Sequence, residues 1–465
     1  MILAVDQGTS STKATLFDGR GAAVASASVP LGQTHPRPGW VEQDAREILD
    51  GVRQVIAEVA TAHDVEAVAF STQRESAVVW DRATGEPVGP MLGWQDRRTA
   101  GRVAELAEHA ARVREISGLP LDPMFSALKL QWLLDAVDPD RARSRRGELC
   151  VGTVDSWLVA RLTGEHRIEA GNASRTQLLD LTTGDWSDEL CALFGIPREV
   201  LPRVAASDEP TGEIDVLPGR AVRAVLGDSH AALYGHGVRA PGALKATYGT
   251  GSSIMGLVDA ADGVPAGLVG TVAWRLGGAT QVAMEGNILA SGATLAWLSR
   301  LLGRGVDDLA ALARAAPADH GVTLVPAVAG LGAPHWDPTA RAVLVGFDLG
   351  TDAAVLARAA MEAIAQQIAD VVDAAEAAGR VAAILADGAP SADDFLMQLQ
   401  ADVAGREVRR PAHPGLSARG AAQLAADTLG LSFDAVPADI FTPHRDNAVA
   451  RSTWASALTL TRKEN

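Results

Sequence analysis

Two stretches of the same chemistry, about half the chain apart, constrain this sequence more than anything else in it. The first is VDQGTSSTK, from Val5 to Lys13, set between the apolar run Ile2 to Val5 and a second run from Ala14 to Asp18. The second is ATYGTGSSIM, from Ala246 to Met255. Each reads as strand, tight glycine turn, strand, and each gathers backbone N–H and hydroxyl groups at one point, as polyphosphate binding requires. Either turn alone would pass for an ordinary hairpin connection. Their recurrence is harder to dismiss, because LGDSHAALYGHG (residues 226 to 237) sets one acid, Asp228, between them. Two anion-binding turns and one carboxylate point to phosphoryl transfer.

With 465 residues the chain has room for two or three domains of roughly 100–200 residues each. Its 41 basic and 57 acidic residues leave a net charge of −16, which argues against gripping a nucleic-acid backbone through a diffuse field. A small anion such as ATP is not excluded, since local N–H groups and a metal can hold it. Cys150 and Cys191 are too few for a disulfide framework and lack metal-ligand spacing, so both read as buried thiols. The sequence starts a strand at once with no secretory-leader pattern, and no run approaches the roughly 20 apolar residues that span a bilayer. A cytoplasmic protein with neither membrane nor nucleic-acid partner is expected.

Along the chain, Ala22 to Val29 reads as a third strand, and Asp44 caps a helix whose Ile48, Val52, Val55, Ile56 and Val59 recur with a period near 3.6. Val65 to Phe70 reads as a buried strand delivering STQRE, Ser71 to Glu75, at its carboxyl end, where open α/β sheets bind ligands. After Trp94, Asp96 is placed to cap a helix running to about Ile116, and another helix is expected in the stretch from Leu119 to Ala136. NASRT, at Asn172 to Thr176, and a strand from Ala221 to Leu226 complete the first half. In the second half we expect a helix around Gly286 to Leu302, a strand from Thr323 to Pro326 and a long alanine-rich helix capped by Thr351 or Asp352 and stopped by Gly379. A strand from Ala382 to Ala386 then runs into DGAPSADDF, a glycine turn that feeds a helix and suits a nucleotide. Alternating strands and helices predict an α/β protein of two domains, 1–237 and 238–465, facing a central cleft.

VDQGTSSTK, PGWVEQD, STQRES, GWQDRRT, MFSALKLQWLLD, GDSHAAL, YGTGSS, GLGAPHWDP and DGAPSADDFLMQLQADVAG occur here in that order. The set resembles the FGGY carbohydrate kinases, most of all their glycerol kinase branch, from Ile2 to about Gly430. The resemblance implies two ribonuclease H-like domains of the actin/Hsp70 type, with a polyol or sugar held in the first and ATP largely in the second. It makes Asp228 the general base that takes the proton of the attacking hydroxyl, and Asp6 the acid that orients Mg²⁺ on the phosphates, mostly through water. Thr9, Ser10, Ser11, Lys13, Gly249 and Thr250 would hold phosphate oxygens, Lys13 standing where the glycerol branch commonly has arginine. Gly292, Gly388, Ala389 and Asp393 would contact the nucleoside.

By the same resemblance, Arg74 and Glu75 would hold substrate hydroxyls, a donor fork and an acceptor pair suited to a vicinal diol, with Trp94 as an apolar wall and Asp96 beside it. Three positions depart from the glycerol branch. Met124 replaces the tyrosine of a DPYFS stretch, Ser229 a glutamine, and Ser253 an aromatic residue, which predicts a larger and more polar pocket. In the nucleoside turn Ala389 replaces a glycine and Asp393 an asparagine. The expected enzyme is an ATP-dependent kinase of a small polyol or sugar, with glycerol kinase proper as the alternative and a non-catalytic actin/Hsp70-like nucleotide switch as a more distant one. A serine hydrolase is excluded by the lack of a GxSxG elbow with its histidine and acid, and His230 and His335 read as hydrogen-bonded loop residues. The assembly is left open, a homodimer included.

Overall fold

The computed structural model describes residues 1–413, 415–446 and 448–461. The last four residues of the second expected domain therefore lie outside the described residues. The chain divides into two compact units, the first formed by Met1–Gly237, Gly270–Ala283 and Gly415–Ala435 and the second by Val238–Val269, Met284–Pro414 and Val436–Asn465.

The first unit opens with β1 (Ile2–Gln7), β2 (Ser11–Phe17), β3 (Ala23–Pro30), α1 (Ala45–Ala60) and β4 (Ala67–Thr72). Of its later elements, α2 (Ser126–Val137), β5 (Leu217–Gly227) and α3 (Asp228–Gly235) bear on function. One six-stranded sheet runs from the edge strand Glu213–Ile214 through β5, β4, β1 and β2 to β3. β5, β4 and β1 are parallel, and they end level: Gln7 lies opposite Thr72, and Thr72 opposite Gly227. Three strands therefore deliver their carboxyl ends to one rim, the usual ligand position in such a sheet. α1 forms as its pattern predicts, Asp44 accepting the Arg46 N–H at 2.8 Å. Its Ile48, Val52, Val55 and Ile56 are fully buried beside Leu3, Val5, Leu16 and Val68, each burial contributing roughly 1.5–3 kcal/mol.

Three expectations here need correction. The helix foreseen from Asp96 to about Ile116 is broken into Ala100–Glu105, Ala107–His109 and Ala110–Ser117, and Asp96 caps none of them. β4 lies two residues later than foreseen, so Ser71 and Thr72 are strand residues rather than loop. His230 sits fully buried within α3 rather than in a loop.

In the second unit, β6 (Ala243–Tyr248) and β7 (Ser252–Val258) form the second glycine hairpin. They join a seven-stranded sheet with β8 (Val269–Leu276), β9 (Ala279–Ile288), β10 (Ala383–Asp387), β11 (Glu407–Pro411) and β12 (Ala438–Phe441), in the order β8-β9-β7-β6-β10-β11-β12. Gly286 lies in β9, so the helix foreseen from that residue, α4 (Gly292–Leu302), starts six residues later. The reason is packing: a Cβ on Gly286 would fall 2.7 Å from Val371 Cγ1, so the bare strand lies against the long helix α5 (Ala353–Ala375). α5 is capped by Asp352, which accepts the Val355 N–H at 3.0 Å. β10 leads through the short helix Ala389–Ala392 into α6 (Asp394–Ala404).

Two segments that chain order puts in the second half pack in the first unit. Helix α7 (Leu416–Thr428) crosses α3 where both carry glycine, and a Cβ on Gly420 would collide with the Ala231 carbonyl. Thr271 and Val272 are tied to Ser174, whose hydroxyl bonds both. His335, as expected, is a bonded loop residue, its Nε2 3.2 Å from Asp370.

Candidate active site

The rim of the first unit collects the acids and bases. Asp6 Oδ1 accepts the Ser71 hydroxyl at 2.7 Å across the β1–β4 pairing. Burial pushes the Asp6 carboxyl up to about 6; the Ser71 hydrogen bond opposes the rise, Asp228 adds to it and Lys13 opposes it more weakly. Asp228 opens α3, its Oδ1 accepting the Ser229 N–H at 2.6 Å. Arg74 Nε lies 3.2 Å from Asp228 Oδ1 and 3.9 Å from Glu75 Oε1, and Glu75 Oε1 also receives Arg175 Nε at 2.6 Å. Arg74 reaches Asp228 over Gly227, where a Cβ would stand 2.7 Å from Arg74 Cδ; only glycine fits. The Arg74 and Glu75 side chains are 8% and 7% exposed and that of Asp228 is 41% exposed, so the acid is the group in reach of solvent and ligand. Glu75 takes a φ of 60°, a left-handed conformation that non-glycine residues adopt rarely and that is enriched at functional sites.

The first glycine turn stands on the same rim. Gly8 N–H donates to Ser11 O at 3.0 Å and closes it. Its carbonyls are taken from behind by buried glutamines, Gly8 O by Gln7 Nε2 and Thr9 O by Gln43 Nε2, both at 2.8 Å. Thr9 and Ser11 are half-buried, while Ser10 and Lys13 are exposed. Trp94 is 38% exposed rather than part of the core, and its indole N–H donates to Thr9 Oγ1 at 3.0 Å, so the expected apolar wall is tied to the turn. Asp96 is fully buried, with both oxygens occupied by Arg98 and one also by the Val41 N–H. Arg98 in turn lies 3.8 Å from the Trp40 ring centre. Asp96 thus holds the frame beneath the rim and offers no open oxygen, which corrects its expected place among the substrate contacts. Met124 and Ser229 are half-buried. Ser253 belongs to the second unit, where its hydroxyl donates to the buried Glu285 at 2.9 Å.

In the second unit the start of α4 is stitched to the second turn: Gly292 N–H donates to Gly249 O at 2.9 Å, and Ser291 and Ala293 N–H to Thr250 O at 2.9 and 3.0 Å. Gly388, at a φ of 88°, backs so closely on Tyr248 that no side chain fits. Around this junction lies a pocket of about 760 Å³, a volume typical of small-ligand sites, lined by Gly249 and Thr250 of the expected phosphate set and by Gly292, Ala389 and Asp393 of the expected nucleoside set. Leu295, Met361 and Leu396 give it apolar walls. Asp393 caps α6 through the Phe395 and Leu396 N–H groups and receives Arg314 Nη2 at 2.6 Å.

Sequence reasoning missed four residues. Arg175 lay inside the quoted NASRT stretch, but nothing local marks its pairing with Glu75. Lys129 is fully buried on α2 and donates to the Glu75 and Met124 carbonyls. Arg314 and Ser71 complete the list. Only Ser71 carried a signal, since it opens the polar cluster at a strand end.

Two family models match the chain, the N-terminal domain of the FGGY family of carbohydrate kinases over residues 1–220 and its C-terminal domain over residues 244–428. The chain belongs to the FGGY family of carbohydrate kinases. It is 45% identical to a glycerol kinase of Geobacter sp. (strain M21) over 92% of this chain and 90% of that one. It is 42% identical to a glycerol kinase of Rhodopirellula baltica over 98% and 90%. The solved Plasmodium falciparum glycerol kinase with ADP superposes with a TM-score of 0.94 at 25% identity, covering 100% of this chain and 98% of that one. A xylulose kinase from Lactobacillus acidophilus, with a TM-score of 0.88 at 24% identity over 99% and 96%, shares the fold. As an FGGY kinase the protein has the expected two-domain ribonuclease H-like α/β fold and is an ATP-dependent phosphotransferase acting on an alcohol group of a small polyol or sugar. Among the described residues no helix is long and apolar enough to cross a membrane.

Proposed function

We propose that this FGGY kinase phosphorylates a polyol or ketose longer than glycerol, with Asp228 as general base. The observation that carries the reading is the grouping of Arg74, Glu75 and Asp228 at one rim, the acid exposed and the other two buried and paired. An alcohol is a weak nucleophile, and a positioned carboxylate that accepts its proton contributes typically about 10²–10⁴ in rate. Arg74 and Glu75 hold neighbouring hydroxyls, and Trp94 bounds the carbon chain. Phosphoryl transfer asks the protein mainly for positioning and charge; Thr9, Ser10, Ser11, Lys13, Gly249 and Thr250 supply it to the phosphates, while Gly292, Gly388, Ala389 and Asp393 frame the nucleoside.

Asp6 fits a Mg²⁺ held through water. It is a hard oxygen donor, its ionisation is opposed by burial and by Asp228, and a nearby cation would relieve both. Bound there, the ion would neutralise phosphate charge.

The reading against glycerol rests on three positions. Met124 offers no side-chain donor, Ser229 is short, and Ser253 is small with its hydroxyl engaged by Glu285. An unmade buried hydrogen bond costs about 1–3 kcal/mol, so a first-unit rim with Met124 and Ser229 at these positions favours a longer substrate that brings its own hydroxyls to the space. Glycerol itself is the second reading, favoured by the 42–45% identity to glycerol kinases. ADP release with product identification, across glycerol, four- and five-carbon polyols and ketoses, decides between them. A kcat/KM for glycerol tenfold or more above every longer substrate would establish the second reading and overturn the first.

A further inference from the structure

We propose that Lys129 is a positioning residue of the polyol site, fixing from beneath the two segments that grip the substrate by hydrogen-bonding the backbone carbonyls of Glu75 and Met124. The inference rests on the placing of the polyol at Arg74 and Glu75.

Lys129 lies on α2 among the buried Leu128, Leu130 and Leu133. An ammonium there gives up its hydration, which is unfavourable unless its hydrogen bonds are made and needed. Its Nζ donates to Glu75 O at 2.7 Å and to Met124 O, and no ion pair engages it among the described residues. The charged groups around it are Glu75, Asp96 and Asp122, each from a loop outside α2; they oppose the burial that draws its pKa down to about 7. The same helix binds the next carbonyl too, Ser126 Oγ donating to Ser76 O at 2.9 Å.

What these bonds hold is a strained link. Glu75 has a φ of 60°, and that conformation places its carboxylate on Arg175 while its neighbour Arg74 meets Asp228. Such a conformation is strained and persists only where its surroundings enforce it. Residues 74 to 76 and Met124 are far apart in sequence, and Lys129 bonds both segments. Releasing them would let the polyol grip relax without touching the nucleoside pocket, which is built from other residues.

The test uses the full-length protein and the polyol giving the highest kcat/KM. Lys129→Met keeps the length and removes the donors. We expect its polyol KM to rise at least tenfold, with a smaller fall in kcat and an ATP KM within twofold of wild type. Ser126→Ala, which removes one bond of the same set, should raise polyol KM two- to fivefold and leave ATP KM alone. A polyol KM within twofold of wild type in Lys129→Met overturns the proposal, as does a parallel rise in both KM values, the mark of a merely structural role. If circular dichroism shows Lys129→Met unfolded, Ser126→Ala decides on the same criteria. A wild-type enzyme that phosphorylates polyols but whose polyol KM is unmoved by Arg74→Ala would sink the placing of the site instead.

Discussion

Replacing Asp6 by asparagine should make the protein more stable and nearly inactive. In the folded state burial raises the Asp6 carboxyl to about 6 from an ordinary value of 3.8, so the folded state binds this proton more tightly than the unfolded one. The group's contribution to stability is therefore fully present below pH about 4, is lost as pH rises through about 6, and above that the ionised carboxylate is a net cost. A rise of roughly two pH units at 1.36 kcal/mol each sets an upper figure near 3 kcal/mol, and water reaching this half-buried side chain reduces it to about 1–2 kcal/mol. Asparagine has the same shape, keeps an oxygen for the Ser71 hydroxyl and carries no charge. Urea denaturation of the ligand-free protein at pH 8 should show Asp6→Asn more stable than wild type by that amount, with the gain vanishing near pH 4. In the wild type, with Asp6 orienting Mg²⁺ as proposed, the loss of activity on acidification should move to lower pH as Mg²⁺ is raised, because the cation offsets the burial that lifts this carboxyl. A variant less stable than wild type at pH 8, or a difference that does not change with pH, would refute the reasoning.

Two further substitutions test the grip on the polyol. Arg175→Met removes the buried partner of Glu75 Oε1, and steady-state kinetics should show polyol KM rising about tenfold or more, in line with the roughly 1.5–3 kcal/mol of a charged hydrogen bond, while ATP KM holds. Gly227→Ala sets a methyl 2.7 Å from Arg74 Cδ; it should displace the guanidinium and weaken polyol binding, with about 1–3 kcal/mol of overpacking in the denaturation curve. Wild-type polyol KM in Gly227→Ala would show that Arg74 need not cross that glycine.

The two hairpins, the helix on Asp44 and the rim acids were legible because each is a local pattern: a turn, a cap, a 3.6 period, a polar cluster at a strand end. What escaped depends on partners distant in sequence. Lys129 reads as one charge in an amphipathic helix, and only the fold shows its ammonium turned inward to Glu75. Asp96 before a helix looks like a cap, yet Arg98 and Val41 claim it. Gly286 looks like the start of a helix until Val371 is found against it. Helix α7 follows the nucleoside turn in sequence, but its glycine fits α3 of the first unit, a match of shapes that no periodicity encodes. Ser253 entered the expected pocket through the resemblance; its bond to Glu285 could not be read from the sequence.

The central claim is that Asp228 accepts the proton of the attacking hydroxyl. The most direct test compares kcat for the best polyol in wild type and Asp228→Asn, with ATP affinity measured by calorimetry on the same preparations. A loss of about a hundredfold or more in kcat, with ATP affinity within threefold, is the expected result for removal of a general base. An Asp228→Asn enzyme that keeps more than a tenth of wild-type kcat would contradict it.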